Sequence, residues 1–321
     1  MISIQNISKN FRNFQIRNID LEINAGEYFV LLGPSGAGKS VLFSIISGII
    51  HPDSGKIFLE DRDITRLPVR KRNIGLLFQQ ASLFPHMNVY QNLDYALKIR
   101  KKSKKERNYK IRELASELSF EHLLKRKTNN LSGGEIQRVA IGRTLARGPK
   151  CLLLDEPLSS LDIQLREDIR NLLRQINRKG LTIMHITHDY REAFYLADRM
   201  AIFDHGEIIQ TGTPKEIFSR PHTKFIADFI GIKNFYVIEK QKDGFCFIGD
   251  LKLPVPGPGK TKIIIPENAV HVMNIKNEQC SGLQFSLPVK DVIEFPDKTE
   301  LILDAGITLH KTFNPVISKD T

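Results

Sequence analysis

Tyr28-Phe29-Val30-Leu31-Leu32-Gly33-Pro34-Ser35-Gly36-Ala37-Gly38-Lys39-Ser40-Val41-Leu42-Phe43-Ser44-Ile45-Ile46 is the stretch on which the fold turns. Its first five residues form a short apolar run that ends at Gly33 and reads as a strand. Beyond the glycines, Val41, Leu42, Ile45 and Ile46 recur at helical spacing. Strand, glycine loop and helix therefore follow in that order, the context in which Gly33 to Ser40 satisfies the phosphate-loop pattern. The glycines let backbone N–H groups point inward at phosphate oxygens, and the helix N-terminus adds its positive dipole. Lys39 supplies a full charge to the β- and γ-phosphates, and Ser40 is the expected ligand of Mg2+. A glycine-rich turn can also be a plain tight connection, but the Lys39-Ser40 pair that follows argues for the phosphate.

Working outward, Ile2-Ser3-Ile4 and Gln15 to Ile23 alternate as strands do, and Lys56 to Leu59 and Ile74 to Phe78 read as further strands. Val89 to Arg100 and Glu106 to Leu118 read as helices that interrupt the sheet. A serine-capped helix, Ser132 to Ala146, then precedes the strand Cys151 to Leu154, the helix Asp162 to Arg178 and the strand Thr182 to Thr187. Short helices at Pro214 to Ser219 and Thr223 to Ile230 close this unit. The alternation predicts an α/β fold with a mostly parallel sheet covered on both faces. Past Asn234 the chain changes to short alternating stretches and the tract Pro254-Val255-Pro256-Gly257-Pro258-Gly259, which suits a small β-barrel or sandwich.

Composition bounds the function. The 321 residues exceed one ordinary domain. The net charge of +11 lies entirely before Asn234, where 37 basic residues face 25 acidic ones, against 10 and 11 after it. Such a surplus suits nucleic acid, an anionic membrane surface or a phosphate-rich ligand, and charge alone does not choose. Cys151, Cys246 and Cys280 are far apart and form no CxxC pair, which fits a reducing compartment. The N-terminus lacks the basic start and apolar stretch of a signal peptide. The most apolar segment, Val41 to Ile50, is about half the length of a membrane-spanning helix, so a membrane role has to come through partners.

The second chemical element is Cys151-Leu152-Leu153-Leu154-Asp155-Glu156, an apolar strand ending in two carboxylates where a parallel sheet opens its ligand crevice. Alone it is equally a strand that ends in a solvated acidic turn. Beside a phosphate loop, Asp155 is expected to hold Mg2+ and Glu156 to act as general base or to orient the attacking water.

Two further tracts narrow the class: Leu131-Ser132-Gly133-Gly134-Glu135-Ile136-Gln137-Arg138, and Ile186-Thr187-His188-Asp189. With them the sequence resembles the ATPase subunits of ABC importers from Met1 to about Gly231, with the motifs in the family's order and spacing. That resemblance implies a P-loop ATPase of ABC type, residues 1–232, with an antiparallel β subdomain and a helical subdomain at about 82–150. A small C-terminal regulatory or dimerisation domain is expected at 235–321. By the same resemblance Gln79 senses Mg2+ and the membrane partner, His188 contacts the γ-phosphate, and Ser159-Ser160-Leu161-Asp162 crosses a dimer interface. Singly, Gln79 is an ordinary loop glutamine and His188 a capping or core histidine. Phe11 matches the position that stacks on adenine, with Phe14 as the fallback. Ser132, Gly133, Gly134 and Glu135 would cap the nucleotide held by a second copy, so a homodimer with two ATP is implied. Glu135 stands where glutamine is usual.

Leu83-Phe84-Pro85-His86-Met87 looks like the docking surface for a helix of integral membrane permease subunits, with Phe84 and Met87 exposed to grip it. An external solute-binding protein is an indirect partner, and the expected location is peripheral, on the cytoplasmic face of the cell membrane. Nucleic acid is not an expected partner, because DNA-repair relatives carry a long coiled coil where only 90 residues separate Ser40 from Leu131, and translation relatives carry two ATPase domains. The nine basic residues between Lys98 and Arg112 read as a solvated helix face or, less simply, as contact with an anionic leaflet. Lys9 to Phe14, Gly26 to Val30, Phe84 to Val89 and His185 to His188 look most like molybdate or tungstate import ATPases; sulfate, iron, polyamine and sugar are the alternatives. In the tail, Ile265-Pro266-Glu267-Asn268 resembles an Arg-Pro-Glu element with isoleucine in place of arginine. The final apolar strand of a complete oxyanion-sensing barrel is missing before Thr321, so the tail is expected to dimerise and to sense weakly or not at all.

Overall fold

The computed structural model describes residues 1–79, 82–159 and 161–237, together with short strands between 240 and 313. The chain divides into two compact units, Met1–Arg220 and Pro221–Thr321.

The first unit opens with β1 (Ile2–Asn10) and β2 (Gln15–Ile23), whose inward isoleucines are buried. With β4 (Ser54–Leu59) and β5 (Arg62–Asp63) they form an antiparallel sheet in the order β2-β1-β4-β5. The main sheet is built from β3 (Tyr28–Leu32), β6 (Ile74–Leu77), β7 (Cys151–Asp155), β8 (Thr182–Thr187), β9 (Arg199–Asp204) and β10 (Glu207–Gly212). Its order is β10-β9-β3-β8-β7-β6, parallel throughout except for β10. Central strands buried on both faces need no alternation, which is why β3 and β7 read as plain apolar runs. β3, β8 and β7 are neighbours, and the segments that follow them carry the phosphate-loop pattern, His188 and Glu156. Three chemical segments thus emerge side by side at one edge of the sheet.

Helix α1 (Lys39–Ser47) follows β3 and ends at Gly48, whose positive φ lets its N–H reach back to Ile45 O and Ser44 O. Its last carbonyls also meet a buried cation: Arg72, 1% exposed, donates to Ile45 O, Ile46 O, Thr65 O and Leu67 O at 2.7 to 2.8 Å. Between β6 and β7 lie α2 (Val89–Lys98), α3 (Lys104–Glu117) and α4 (Gly133–Ala146), packed through Leu93, Leu97, Ile111, Leu114, Val139 and Ala140. α2 stops two residues before the sequence suggests, and Lys101 then turns the chain at φ +55°. α3 starts two residues early because Ser103 and Glu106 close a capping box.

Beyond the short β5, one hairpin and one helix are absent from the sequence reading. They are the β9–β10 hairpin and α6 (Tyr190–Leu196), which is capped by Asp189. α5 (Ile163–Arg178) lies between β7 and β8, and α7 (Pro214–Ser219) follows β10. Much of the basic run is laced to partners: Lys98 and Arg107 to Asp94, Lys102 to Glu106, Lys110 to Glu113, and Arg100 to Asn73.

The second unit holds α8 (Lys224–Phe229) and described strands that pair only antiparallel. They are Phe235–Val237 with Lys262–Ile264, a meander of Lys240–Lys242, Phe245–Ile248 and Leu251–Pro254, and a second meander of Val289–Glu294, Thr299–Asp304 and Thr308–Phe313. Ile265 to Asn268 lie outside the described residues. Among the described residues no helix is long and apolar enough to cross a membrane.

Candidate functional site

The loop after β3 has the shape its residues demand. A side chain at Gly33 would place its Cβ 2.0 Å from Phe203 O, so only glycine fits beside β9. Gly38 caps α1 at φ +103° with the Phe14 ring directly beneath it. Lys39 is 5% exposed, and its Nζ donates to Gly33 O at 2.7 Å and Pro34 O at 2.8 Å. Burial pulls the ammonium pKa down, and the nearby Glu156 and Asp155 carboxyls oppose that. The ammonium is therefore held by neutral carbonyls inside the loop.

Ser40, one position into α1, donates through Oγ to Asp155 Oδ1 at 3.1 Å. Burial pushes the Asp155 pKa up, the Ser40 hydroxyl opposing, and a cation beside it would favour the ionised form. This hydroxyl and carboxylate are the oxygen donors a hard cation takes. Among the described residues no group of three or more His, Cys, Asp or Glu stands ready to hold a metal alone. Mg2+ would fit here only by taking its other ligands from phosphate and water, its usual habit.

Glu156 sits at φ +46°, a strained conformation for a glutamate, with its N–H bound to Ile186 O at 3.0 Å. That backbone turns the carboxylate toward two other residues named from the sequence. Its Oε1 lies 3.1 Å from His188 Nδ1, and its Oε2 accepts from Gln79 Nε2 at 3.4 Å. Gln79 also donates to Ser159 Oγ at 3.3 Å, and Ser159 Oγ donates to Glu156 O at 3.0 Å. Gln79, Glu156 and His188 come from three different strands and meet at one point.

Phe11 and Phe14 divide the adenine question between them. Phe14 is packed under Gly38, while Phe11 is 38% exposed in the turn between β1 and β2, with Lys9 Nζ 5.9 Å from its ring.

The Ser132 segment is organised differently. Ser132 Oγ accepts the Glu135 N–H at 3.3 Å, and Glu135 Oε2 accepts the Ser132 N–H at 2.7 Å. Glu135 also faces Arg126 at 3.6 Å. Among the described residues no hydrogen bond or ion pair joins Ser132, Gly133, Gly134 or Glu135 to the loop 33–40 or to Glu156. What ties α4 to the acidic strand is Gln137, which is buried and donates to Pro157 O at 2.8 Å. The sequence alone gives Gln137 no part; its one local signal is its place a turn after Gly134, on the buried side of α4. Arg166, which donates to Leu161 O at 2.8 Å and Ser159 O at 3.4 Å, was missed for the same reason.

The docking tract needs a correction. Phe84 and Met87 are half-buried, not exposed, since Phe84 packs edge-on against Tyr95 at 5.0 Å and under Arg143 at 5.3 Å. The exposed aromatics there are Phe78 and Tyr95, and a crevice of about 270 Å³ opens between His86, Met87, Gln91, Asp94, Tyr95 and Lys98.

Known proteins resemble this chain in sequence and in fold. The model of the ABC transporter family matches residues 16–159. A molybdate/tungstate import ATP-binding protein of Pyrococcus horikoshii is 44% identical over 318 residues, covering 98% of this chain and 91% of that one. A spermidine/putrescine import ATP-binding protein of Thermotoga maritima is 43% identical over 240 residues, 74% of this chain and 65% of that one. Among solved structures, the ADP conformation of an ATP-binding cassette of an ABC transporter superposes with a TM-score of 0.63 at 28% identity, over 72% of this chain and 98% of that one. The chain therefore belongs to the ABC transporter family, as an ATP-binding and ATP-hydrolysing subunit similar to the molybdate/tungstate importers.

Proposed function

We propose that two copies of this chain bind and hydrolyse two ATP between them, and that the cycle of closing and opening drives import of molybdate or tungstate through membrane permease subunits. The observation that carries the chemistry is the meeting of Glu156 with His188 and Gln79, with the buried Lys39 and the half-buried Asp155 nearby.

In this reading the triphosphate draws the Lys39 ammonium off Gly33 O and Pro34 O and takes its charge on the β- and γ-phosphates. Ser40, Asp155 and Gln79 hold Mg2+, which when bound neutralises charge on the phosphates. Glu156 orients the attacking water and accepts its proton, and His188, already hydrogen-bonded to Glu156, stabilises the γ-phosphate. Phe11 offers its exposed face to adenine. Ser132, Gly133, Gly134 and Glu135 cap the γ-phosphate of the other copy, a reading supported by their isolation from the chain's own loop. ATP thus bridges the copies, and hydrolysis removes the bridge.

In this reading a helix of the permease docks in the crevice beside Tyr95, and the chain works at the cytoplasmic face of the membrane with an external binding protein beyond. We assign residues 1–232 to the ATPase domain, with the helical subdomain at about 82–150, and 235–321 to a small β domain that dimerises. The Pyrococcus relative's coverage, which extends through that tail, favours molybdate and tungstate over polyamine.

Glu156→Gln tests the mechanism: the variant binds ATP and dimerises but turns over about 10²- to 10³-fold more slowly. Unchanged turnover would dismiss the role of Glu156. Calorimetric titration of the dimer with molybdate and with tungstate tests the tail, for which no micromolar binding is expected.

A further inference from the structure

Beneath His188 lies a buried polar cluster that the proposed mechanism does not use. Tyr28 on β3, His185 and Thr187 on β8, and Glu192 on α6 are 1, 0, 3 and 6% exposed. Tyr28 Oη and His185 Nδ1 are 3.0 Å apart. His185 Nε2 has no hydrogen-bond partner and stands 3.8 Å from Glu192 Oε2. That same oxygen accepts from Thr187 Oγ1 at 2.8 Å. Burial pushes the Glu192 pKa up, with the Thr187 hydroxyl opposing it, so this carboxyl is costly where it stands. An apolar residue would fill the space at lower cost.

The turn above it supplies a reason. Thr187 Oγ1 is used twice, since it also accepts the Asp189 N–H at 3.0 Å. With its proton directed at Glu192, the hydroxyl turns its lone pairs toward that N–H, so donor and acceptor bonds together fix its rotamer. Asp189 in turn accepts the Arg191 N–H at 2.8 Å and so starts α6, the helix that carries Glu192. The chain of bonds closes on itself, and His188 is the residue between its two ends. The Asp189 carboxylate disfavours the ionised form of Glu192 and the Arg166 guanidinium favours it, and Arg166 also holds the loop after Glu156 through Ser159 O and Leu161 O.

We infer that Glu192 is a positioning residue for His188: it orients the Thr187 hydroxyl, and thereby fixes the Thr187–Asp189 turn that carries the His188 ring to Glu156. This rests on the role proposed for His188 above. The test is steady-state ATP turnover by the full chain in Glu192→Ala, Thr187→Val, Thr187→Ser, His188→Ala and the Glu192→Ala/His188→Ala double variant. Glu192→Ala and Thr187→Val lower kcat about tenfold while KM for ATP stays within about twofold, because the interaction acts on the reacting geometry rather than on ATP binding. Thr187→Ser keeps the hydroxyl and recovers most of the rate, and the double variant is no slower than His188→Ala alone. Thr187→Val is nearly isosteric, so it serves if Glu192→Ala fails to fold. Losses that multiply in the double variant, or a Thr187→Ser as slow as Thr187→Val, overturn the inference and leave His188 in place. Parental turnover in His188→Ala removes the His188 role and this inference with it.

Discussion

The loop at Gly33 to Ser40 and the turn at Ser132 to Glu135 are both glycine-bearing helix N-termini, yet the structure completes them in opposite ways. The first is gathered: Lys39 lies within it, Ser40 bonds to Asp155, and Glu156 and His188 pair close by. The second closes on itself through a capping box and, among the described residues, shares no hydrogen bond or ion pair with the first. Backbone N–H groups at a helix start are a weak anion site alone, and a buried cation with oriented carboxylates is what turns one into a chemical centre. In the function proposed above, one segment binds the nucleotide of its own chain, whereas the other is completed by a second copy.

Removing the cation should blur this contrast most. Lys39→Ala is expected to weaken ATP affinity about 100-fold, as loss of a charge-assisted contact to phosphate would, measured by fluorescent-nucleotide titration. Ser132→Arg attacks the other segment: turnover falls about 100-fold while affinity stays within about threefold, because the first copy still holds its nucleotide. Equal losses of affinity in the two variants would mean that the segments do not divide the work as described.

The smallest effect comes from a control that shares only the local geometry. Ser103 and Glu106 form the same capping box at the start of α3, with no glycines and no proposed ligand. Its backbone and side-chain bonds to Ser103 hold the Glu106 pKa down at about 2, from 4.5. A carboxylate with a depressed folded-state pKa contributes stability that is present above the unfolded value and lost as pH falls through the folded one. Glu106→Gln should therefore melt about a degree lower at pH 7, with the gap narrowing as pH falls from 4.5 toward 2, and turnover should not change.

The parts of the site legible in the sequence are those with local periodicity or fixed spacing. β3, β8 and the helix starts at Ser132 and Asp162 follow from apolar runs and caps within a few residues. The β9–β10 hairpin is harder to read, because its apolar runs, Met200 to Phe203 and Ile208-Ile209, are short and bounded by the charges of Arg199, Asp204 and Glu207. Phe84 was read as exposed because its covering partners, Tyr95 and Arg143, come from separate helices. Glu156 follows from an acidic strand end beside a phosphate loop, and Gln79 and His188 from the family resemblance; that both touch Glu156 depends on the order of β6, β7 and β8, which no single segment encodes. Glu192 escaped notice altogether, since a glutamate in a helix near the surface motif of Asp189 reads as solvated until its burial is seen.

Arg72 has a bearing on inheritance and engineering. Its planar guanidinium satisfies four carbonyls drawn from both the end of α1 and the approach to β6, a geometry that the single ammonium of lysine cannot reproduce. Any shorter or apolar replacement strands several acceptors in the interior at once. The far end of α1 is thus keyed to a single residue: in the series Thr65 to Asn73 the other arginines, Arg66 and Arg70, are exposed, so a chain that loses Arg72 has no second guanidinium already turned inward.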